Sequence, residues 1–275
     1  MSRLSPQAQV VFVIARFVTH ALSRIGGFVA AIPVPRPVRE PLWTWIARLL
    51  GADLSEAALP AAQFRTFQEL FTRELSPGLR PIAQGADVWV SPVDASWLSH
   101  ERVSDDVFIP VKGNRHRLSA LIGLAGASGQ DMLVSTFYLR PYDYHRIHAP
   151  ADLVVDRVFD VPGTLFPVNR AGQRVPGLFV RNARVVLEGR WQQQRVWIVC
   201  VGALMVGSVA LSHPGLEALR ARRTTQAVTI TKGQELGMFR FGSTVIIVTD
   251  HFCGDVHHEP REVRVGQEIF RCGAS

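Results

Sequence analysis

From about Val88 onward, the spacing of turn residues leaves this chain little choice but β-structure. Short valine-rich runs alternate with Gly, Pro and Asp turns: Val88–Val90, Val107–Ile109, Leu133–Leu139, Leu153–Phe159, Arg184–Leu187, Val196–Val201, Val228–Ile230 and Val245–Val248. Runs of this length and composition read as strands of a mixed or antiparallel sheet. The stretch before them has a different texture. Between Val10 and Ala30 the polar residues Arg16, Thr19, His20, Ser23 and Arg24 recur at i, i+3, i+4, i+7 and i+8. They share one face of a helix whose remainder is Val, Ile, Phe and Leu. Ile32-Pro33-Val34-Pro35-Arg36-Pro37 breaks that helix into an extended connector. A second helix is expected over Ala61–Glu74, with Phe64, Phe67, Leu70 and Phe71 on its apolar face and Ser76-Pro77-Gly78 as its stop. A helix around Leu118–Ala125 and a surface loop or short helix over 212–224 complete the pattern. The expectation is an α+β chain, with a helical membrane-associating region over 1–60 and a β-rich mixed or antiparallel catalytic domain over 61–275.

The 275 residues are 47% hydrophobic and 19% charged, an ordered globular composition with ample length for a core. A net charge of +7 favours anionic partners. Lys and Arg are scattered, and no aromatic-flanked basic groove is visible, so nucleic acid is set aside. Cys200, Cys253 and Cys272 are odd in number and form no C-x-x-C pair, which predicts neither a disulfide framework nor a zinc site and fits a reducing compartment. Arg16 and Arg24 interrupt the N-terminal apolar stretch, so no secretory layout is expected. The longest apolar run, Val196 to Leu211, is shorter than the roughly 20 residues of a membrane span and reads as a strand pair with a turn. A basic stripe on an apolar helix suits a membrane surface, and Trp43 and Trp45 beside Arg39 and Arg48 add to that reading. An ordinary helix packed on the domain or on a partner subunit is the alternative.

The residues able to carry chemistry lie far apart in sequence. Gly242-Ser243-Thr244 precedes a β-branched run, placing Ser243 at the entrance to a buried strand. Without a Cβ, Gly242 leaves its carbonyl open to attack. Ser243 Oγ could attack it, and elimination from the resulting ester followed by hydrolysis would leave a pyruvoyl group. Alone, the triplet reads as a turn with a capping serine. Serine needs a base, and Tyr138 to Pro150 supplies His145 and His148, with Asp143 between them and Tyr142. Asp94, in Ser91-Pro92-Val93-Asp94, could orient a histidine, as could Asp143; Asp94 could also be a plain turn residue. No carboxylate-rich or cysteine motif accompanies the histidines, so no metal is expected. The cluster His251, Cys253, Asp255, His257, His258 and Glu259 matches no zinc signature and reads as a polar surface loop.

Taken in order, these segments resemble the phosphatidylserine decarboxylase proenzymes of the bacterial and mitochondrial type. The resemblance runs from about Phe64. It is carried by Phe67–Leu75 with Arg80-Pro81-Ile82, by Ser91–Asp94, by Tyr138–Pro150, by Pro162–Asn169, by Asn182–Leu187, by Val201–Ser208 and by Lys232–Phe239 leading into Phe241-Gly242-Ser243-Thr244. Phe241 replaces the leucine common before Gly-Ser-Thr, and Ala95 stands where glycine usually follows the aspartate. The resemblance implies cleavage between Gly242 and Ser243 into a β chain of 1–242 and an α chain of 243–275. It implies an Asp94–His148–Ser243 triad for that step, with Asp143 a second partner for the histidine. It implies a pyruvoyl cofactor made from Ser243 that condenses with the amine of phosphatidylserine, with His145 assisting decarboxylation to phosphatidylethanolamine. The implied setting is peripheral on an anionic membrane surface, the cytoplasmic face of the cell membrane in a bacterium, and a homodimer of the two-chain unit is allowed. A Ser-His-Asp hydrolase that stays uncut, though without the Gly-x-Ser-x-Gly elbow, and a non-catalytic lipid-binding β-domain are the competing readings.

Overall fold

The structure is a computed structural model and describes residues 6–104, 106–111, 114–123, 131–167, 177–203, 209–240, 244–250 and 259–272. Helices α1 (Pro6–Ala30) and α2 (Arg36–Leu50) come first, then a 3-10 turn at Ala61–Gln63 and the one-turn helix α3 (Phe67–Phe71). Among the described residues the β-rich part holds β1 (Val88–Val90), β2 (Ala95–Val103), β3 (Val107–Val111), β4 (Asn114–Arg117), β5 (Met132–Tyr138), β6 (Arg146–His148), β7 (Leu153–Val161), β8 (Arg184–Trp191), β9 (Gln194–Val201), β10 (Val209–Leu211), β11 (Val228–Ile230), β12 (Glu235–Phe239), β13 (Thr244–Thr249), β14 (Arg261–Val263) and β15 (Glu268–Arg271). Short helices α4 (Leu118–Ile122), α5 (Leu178–Arg181) and α6 (Pro214–Arg220) intervene.

The main sheet runs β11-β7-β8-β9-β13-β5-β2-β14, and every pairing in it is antiparallel. Its centre is β13, buried along its whole length between β9 and β5. A strand covered on both faces needs apolar side chains at successive positions rather than at alternate ones, which is why Thr244-Val245-Ile246-Ile247-Val248-Thr249 reads as one unbroken run. A smaller sheet, β10-β12-β6, carries the histidine segment. The segments 196–201 and 209–211 are both strands, as expected, but they lie in different sheets: β10 pairs with β12 and β9 with β8 and β13.

Local chemistry explains where the helices depart from expectation. Pro37 does not extend the connector; it sits in the first turn of α2, where a missing N–H costs no hydrogen bond. The helix expected over Ala61–Glu74 is only Phe67–Phe71. Thr66 caps it, its Oγ1 accepting from Glu69 N at 3.1 Å, while Glu69 Oε2 accepts from Arg65 N. That capping arrangement starts the helix at Phe67 rather than upstream. Trp43 does not face a membrane. It is buried with Phe64 and Leu70, and its Nε1 donates to Phe64 O at 2.9 Å. Trp45 is exposed.

Within the polar stripe of α1, Thr19, His20 and Ser23 face inward, while Arg24 is exposed. Thr19 and Ser23 are buried, Thr19 Oγ1 accepts from Leu165 N at 3.2 Å, and His20 Nε2 is 2.9 Å from Gly163 O. The stripe supplies hydrogen bonds that the backbone of 163–165 would otherwise lack. The opposite face, with Phe17, Val18, Leu22, Ile25, Phe28 and Val29, is exposed, as is Arg24. No described helix is long and apolar enough to cross a membrane. Cys272 is disulfide-bonded, against the expectation of unpaired thiols, while Cys200 is free and buried. Spacing along the chain carried no sign of that pairing, because cysteines meet through the fold.

Candidate active site

The histidine segment touches the chain on both sides of the Gly242–Ser243 bond. Upstream, β6 pairs with β12, and Phe239 N donates to His145 O at 2.9 Å. Downstream, Thr244 is registered opposite Tyr138 on β5. Gly242 and Ser243 themselves lie outside the described residues, as do residues 251–258 of the tail cluster.

His145 is buried and His148 half-buried, and each is held by a backbone carbonyl. His148 Nδ1 is 2.9 Å from Gly233 O, and His145 Nδ1 is 2.8 Å from Asp143 O. A carbonyl only accepts, so in each ring Nδ1 carries the proton and Nε2 keeps its lone pair. Both Nε2 atoms are buried without a partner among the described residues. Burial drives the His145 pKa down to about 3 and lowers that of His148. Both are neutral imidazoles at neutral pH, each with one free acceptor. His145 also packs its ring 4.0 Å from that of Phe71 in α3.

The two aspartates are brought close to these histidines but are committed elsewhere. Asp94 Oδ1 accepts from Val265 N at 2.8 Å, and its carboxylate receives Arg80 Nε and Arg80 Nη2, the latter at 2.6 Å. Arg80 also binds Glu56 at 2.6 Å. Burial opposes the Arg80 charge, and these hydrogen bonds more than offset it. The expected Asp94–His148 hydrogen bond is therefore replaced by one to Gly233 O, although the turn that carries Asp94 is tied to His148, whose N–H donates to Pro92 O at 2.8 Å. Asp143 is clasped by Arg140 through N, Nε and Nη2. Burial raises the Asp143 pKa even so. It serves His145 through its main-chain oxygen rather than its carboxylate.

A cavity of about 340 Å³ opens beside Asp94, Asp143 and Tyr144, with Arg73, Arg80, Arg140 and Arg264 on its wall. Glu262, Val263, Arg264 and Gln267, which lie C-terminal to Ser243, form part of the same wall. Sequence reading missed Arg73, Arg80, Glu56 and the Gly233 carbonyl as site groups. The two arginines stood inside quoted motifs without a role, and a backbone carbonyl has no letter to read. Among the described residues no group of three His, Cys, Asp or Glu side chains is placed to hold a metal ion.

Residues 67–271 match the family described as Phosphatidylserine decarboxylase. A protein of Marinobacter nauticus named "Phosphatidylserine decarboxylase proenzyme" is 35% identical over 267 residues, covering 92% of this chain and 93% of its own. One of the same name from Anaeromyxobacter sp. (strain K) is 38% identical, covering 91% and 93%. Another from Methylibium petroleiphilum is 37% identical over 283 residues, covering 97% and 94%.

Proposed function

The chain belongs to the phosphatidylserine decarboxylase family, and on that premise we propose that it is a self-processing carboxy-lyase converting phosphatidylserine to phosphatidylethanolamine and carbon dioxide. The observation that carries the reading is the pair of neutral, carbonyl-tethered histidines on a segment bonded to the chain either side of Gly242–Ser243.

Maturation begins when His148 Nε2 takes the hydroxyl proton of Ser243 and Oγ attacks the Gly242 carbonyl. The amide C–N bond breaks, an ester joins Gly242 to Oγ, and the Ser243 nitrogen leaves as a free amine. Loss of the Ser243 α-proton expels the Gly242 carboxylate, and water then releases ammonia to leave the pyruvoyl end. Gly233 O holds the tautomer for the first step, and the negative charges of Glu235 and, more weakly, Asp94 favour the imidazolium that forms. Asp94, His148 and Ser243 thus carry the cut, with Asp143 fixing His145 through its main-chain oxygen.

The surroundings fit a pyruvoyl group: Thr244 Oγ1 and both Nε2 atoms are buried polar atoms without partners among the described residues. Bound there, it supplies an electron sink for loss of carbon dioxide. His145 Nε2, which holds a lone pair at rest, takes a proton from the substrate ammonium as it condenses and returns that proton to the substrate carbon after carbon dioxide leaves. After cleavage the α chain 243–275 stays in place, because β13 is hydrogen-bonded on both edges, and β14 and β15 pair with β2 and β1.

The exposed face of α1 docks the protein on a bilayer. An apolar face beside a net charge of +7 suits a surface of anionic lipid, where the substrate resides. The docking is peripheral, on the cytoplasmic face in a bacterium.

A denaturing intact-mass spectrum beside Ser243→Ala tests the reading. The expected result is two fragments from the wild type, the smaller starting at position 243 with a pyruvoyl end, and one mass from the variant. A single full-length wild-type mass that persists with anionic lipid would refute self-processing and return the weight to an uncut hydrolase or a lipid-binding protein.

A further inference from the structure

Four arginines line the cavity, and three of them are spoken for. Arg80 pairs with Glu56 and Asp94, Arg140 with Asp143 and Glu262, and Arg264 with Glu56. Arg73 has no carboxylate within ion-pair distance among the described residues, yet it is 7% exposed. One of its terminal nitrogens donates to Tyr142 O at 3.3 Å, and its Nε is buried without a partner. Burial lowers its pKa from the usual arginine value, but a guanidinium keeps its proton at any working pH. Glu56, Asp94 and Asp53 act on it through space without direct contact, so a desolvated cation with an idle donor stands on the cavity wall.

Its position explains why the charge is left open. Arg73 follows α3, whose Phe71 packs on His145, and Arg146 Nε binds Thr72 O at 3.1 Å. The guanidinium therefore sits in the same cavity as Asp94, Asp143 and Tyr144. Of the cavity's five carboxylates, Glu56, Asp94, Asp143 and Glu262 are paired with the other arginines, and the fifth, Asp53, accepts from Ser55 N at 2.8 Å and acts on Arg73 only through space.

We propose that Arg73 is the anchor for the phosphodiester of the lipid headgroup; this rests on the decarboxylase reading. The substrate offers two anions, and the chemistry selects between them. An ion pair to the carboxylate would stabilise the ground state and vanish as carbon dioxide leaves, raising the barrier. The phosphodiester keeps its charge throughout, so binding it holds substrate and transition state alike. A planar guanidinium presents paired donors to phosphate oxygens.

The test uses the self-processed enzyme, Arg73→Gln and Arg73→Lys. Soluble glycerophosphoserine serves as substrate. Glycerophosphoethanolamine, which keeps the phosphodiester and lacks the carboxylate, is titrated calorimetrically with inorganic phosphate as the comparison. Arg73→Gln is expected to raise KM about tenfold or more with kcat changed by less than about threefold, a uniform-binding loss. Glycerophosphoethanolamine affinity is expected to fall by the same factor, Arg73→Lys to recover part of it, and the extent of self-cleavage to stay unchanged. Unchanged KM, a fall in kcat alone, or weakened glycerophosphoserine with unaltered glycerophosphoethanolamine binding would each overturn the assignment. So would inorganic phosphate binding more tightly than glycerophosphoethanolamine. If Arg73→Gln does not fold, unchanged glycerophosphoethanolamine affinity in Arg73→Lys overturns it equally. A wild-type chain that neither cuts nor decarboxylates would fail the functional reading instead, while the calorimetry still decides the anchor.

Discussion

Replacing Gly233 by alanine should separate the histidine that starts self-cleavage from the fold that carries it. Gly233 sits at φ +81 and presents its carbonyl to His148 Nδ1 at 2.9 Å. An added Cβ costs about 1–2 kcal/mol for the left-handed backbone alone. It would also lie 2.7 Å from Ile82 Cγ1 and 2.9 Å from Cδ1. Ile82 is only half-buried, so its outer atoms can swing aside, but relief at Cγ1 requires the turn to move. Moving the turn shifts the carbonyl and weakens the bond that selects the His148 tautomer, a further ~1 kcal/mol. The expected outcome is a loss of about 2–3 kcal/mol in stability and cleavage slowed about tenfold. Gly78→Ala is the control. It sits at φ +84 with nothing within 4 Å of its Cβ, so it bears the conformational cost without the contact. The assay follows the cut fraction over time in freshly synthesised chains by denaturing electrophoresis, beside urea melts. If Gly233→Ala cuts at the wild-type rate while losing stability like Gly78→Ala, the carbonyl does not govern His148.

Two other outcomes follow from burial. His145 and His116 are buried, with pKa values lowered from 6.5 to about 3 and about 4. The unfolded chain therefore binds more protons below pH 6.5, so their contribution is intact above that value and lost as pH falls towards 4, by several kcal/mol in order of magnitude. A urea midpoint that stays flat between pH 7 and 4.5 would mean these rings are charged or hydrated in the fold. On α1, Phe17→Asp with Phe28→Asp should weaken binding to anionic vesicles by roughly 1.5–3 kcal/mol per inserted ring, and Arg16→Glu with Arg24→Glu by about 1 kcal/mol per residue. Unchanged co-sedimentation would count against docking through this helix.

Much of the fold was legible because β-branched runs and turn residues state their preference locally. The central strand Thr244–Thr249 announced its double-sided burial as an uninterrupted apolar run, and Tyr138–Pro150 announced its chemistry by residue type. Strand β2 hid itself. Its Ser96, Ser99, His100 and Glu101 look unlike a core strand, yet His100 is buried, its ring against Phe270 and its Nδ1 2.7 Å from Ser135 Oγ. Helix α1 gave its two faces but not their directions. Periodicity finds a stripe, and the usual assumption sends the polar side to water; here the backbone of 163–165 claims Thr19 and His20, and the apolar side is left exposed. The order of motifs, the family and the candidate nucleophile and bases were fixed by side-chain identity, which is written residue by residue. Which group holds His148, which acid each arginine neutralises, and that Arg73 is left without one were decided by the tertiary structure alone, because backbone carbonyls have no letter and charge balance is a property of neighbours in space.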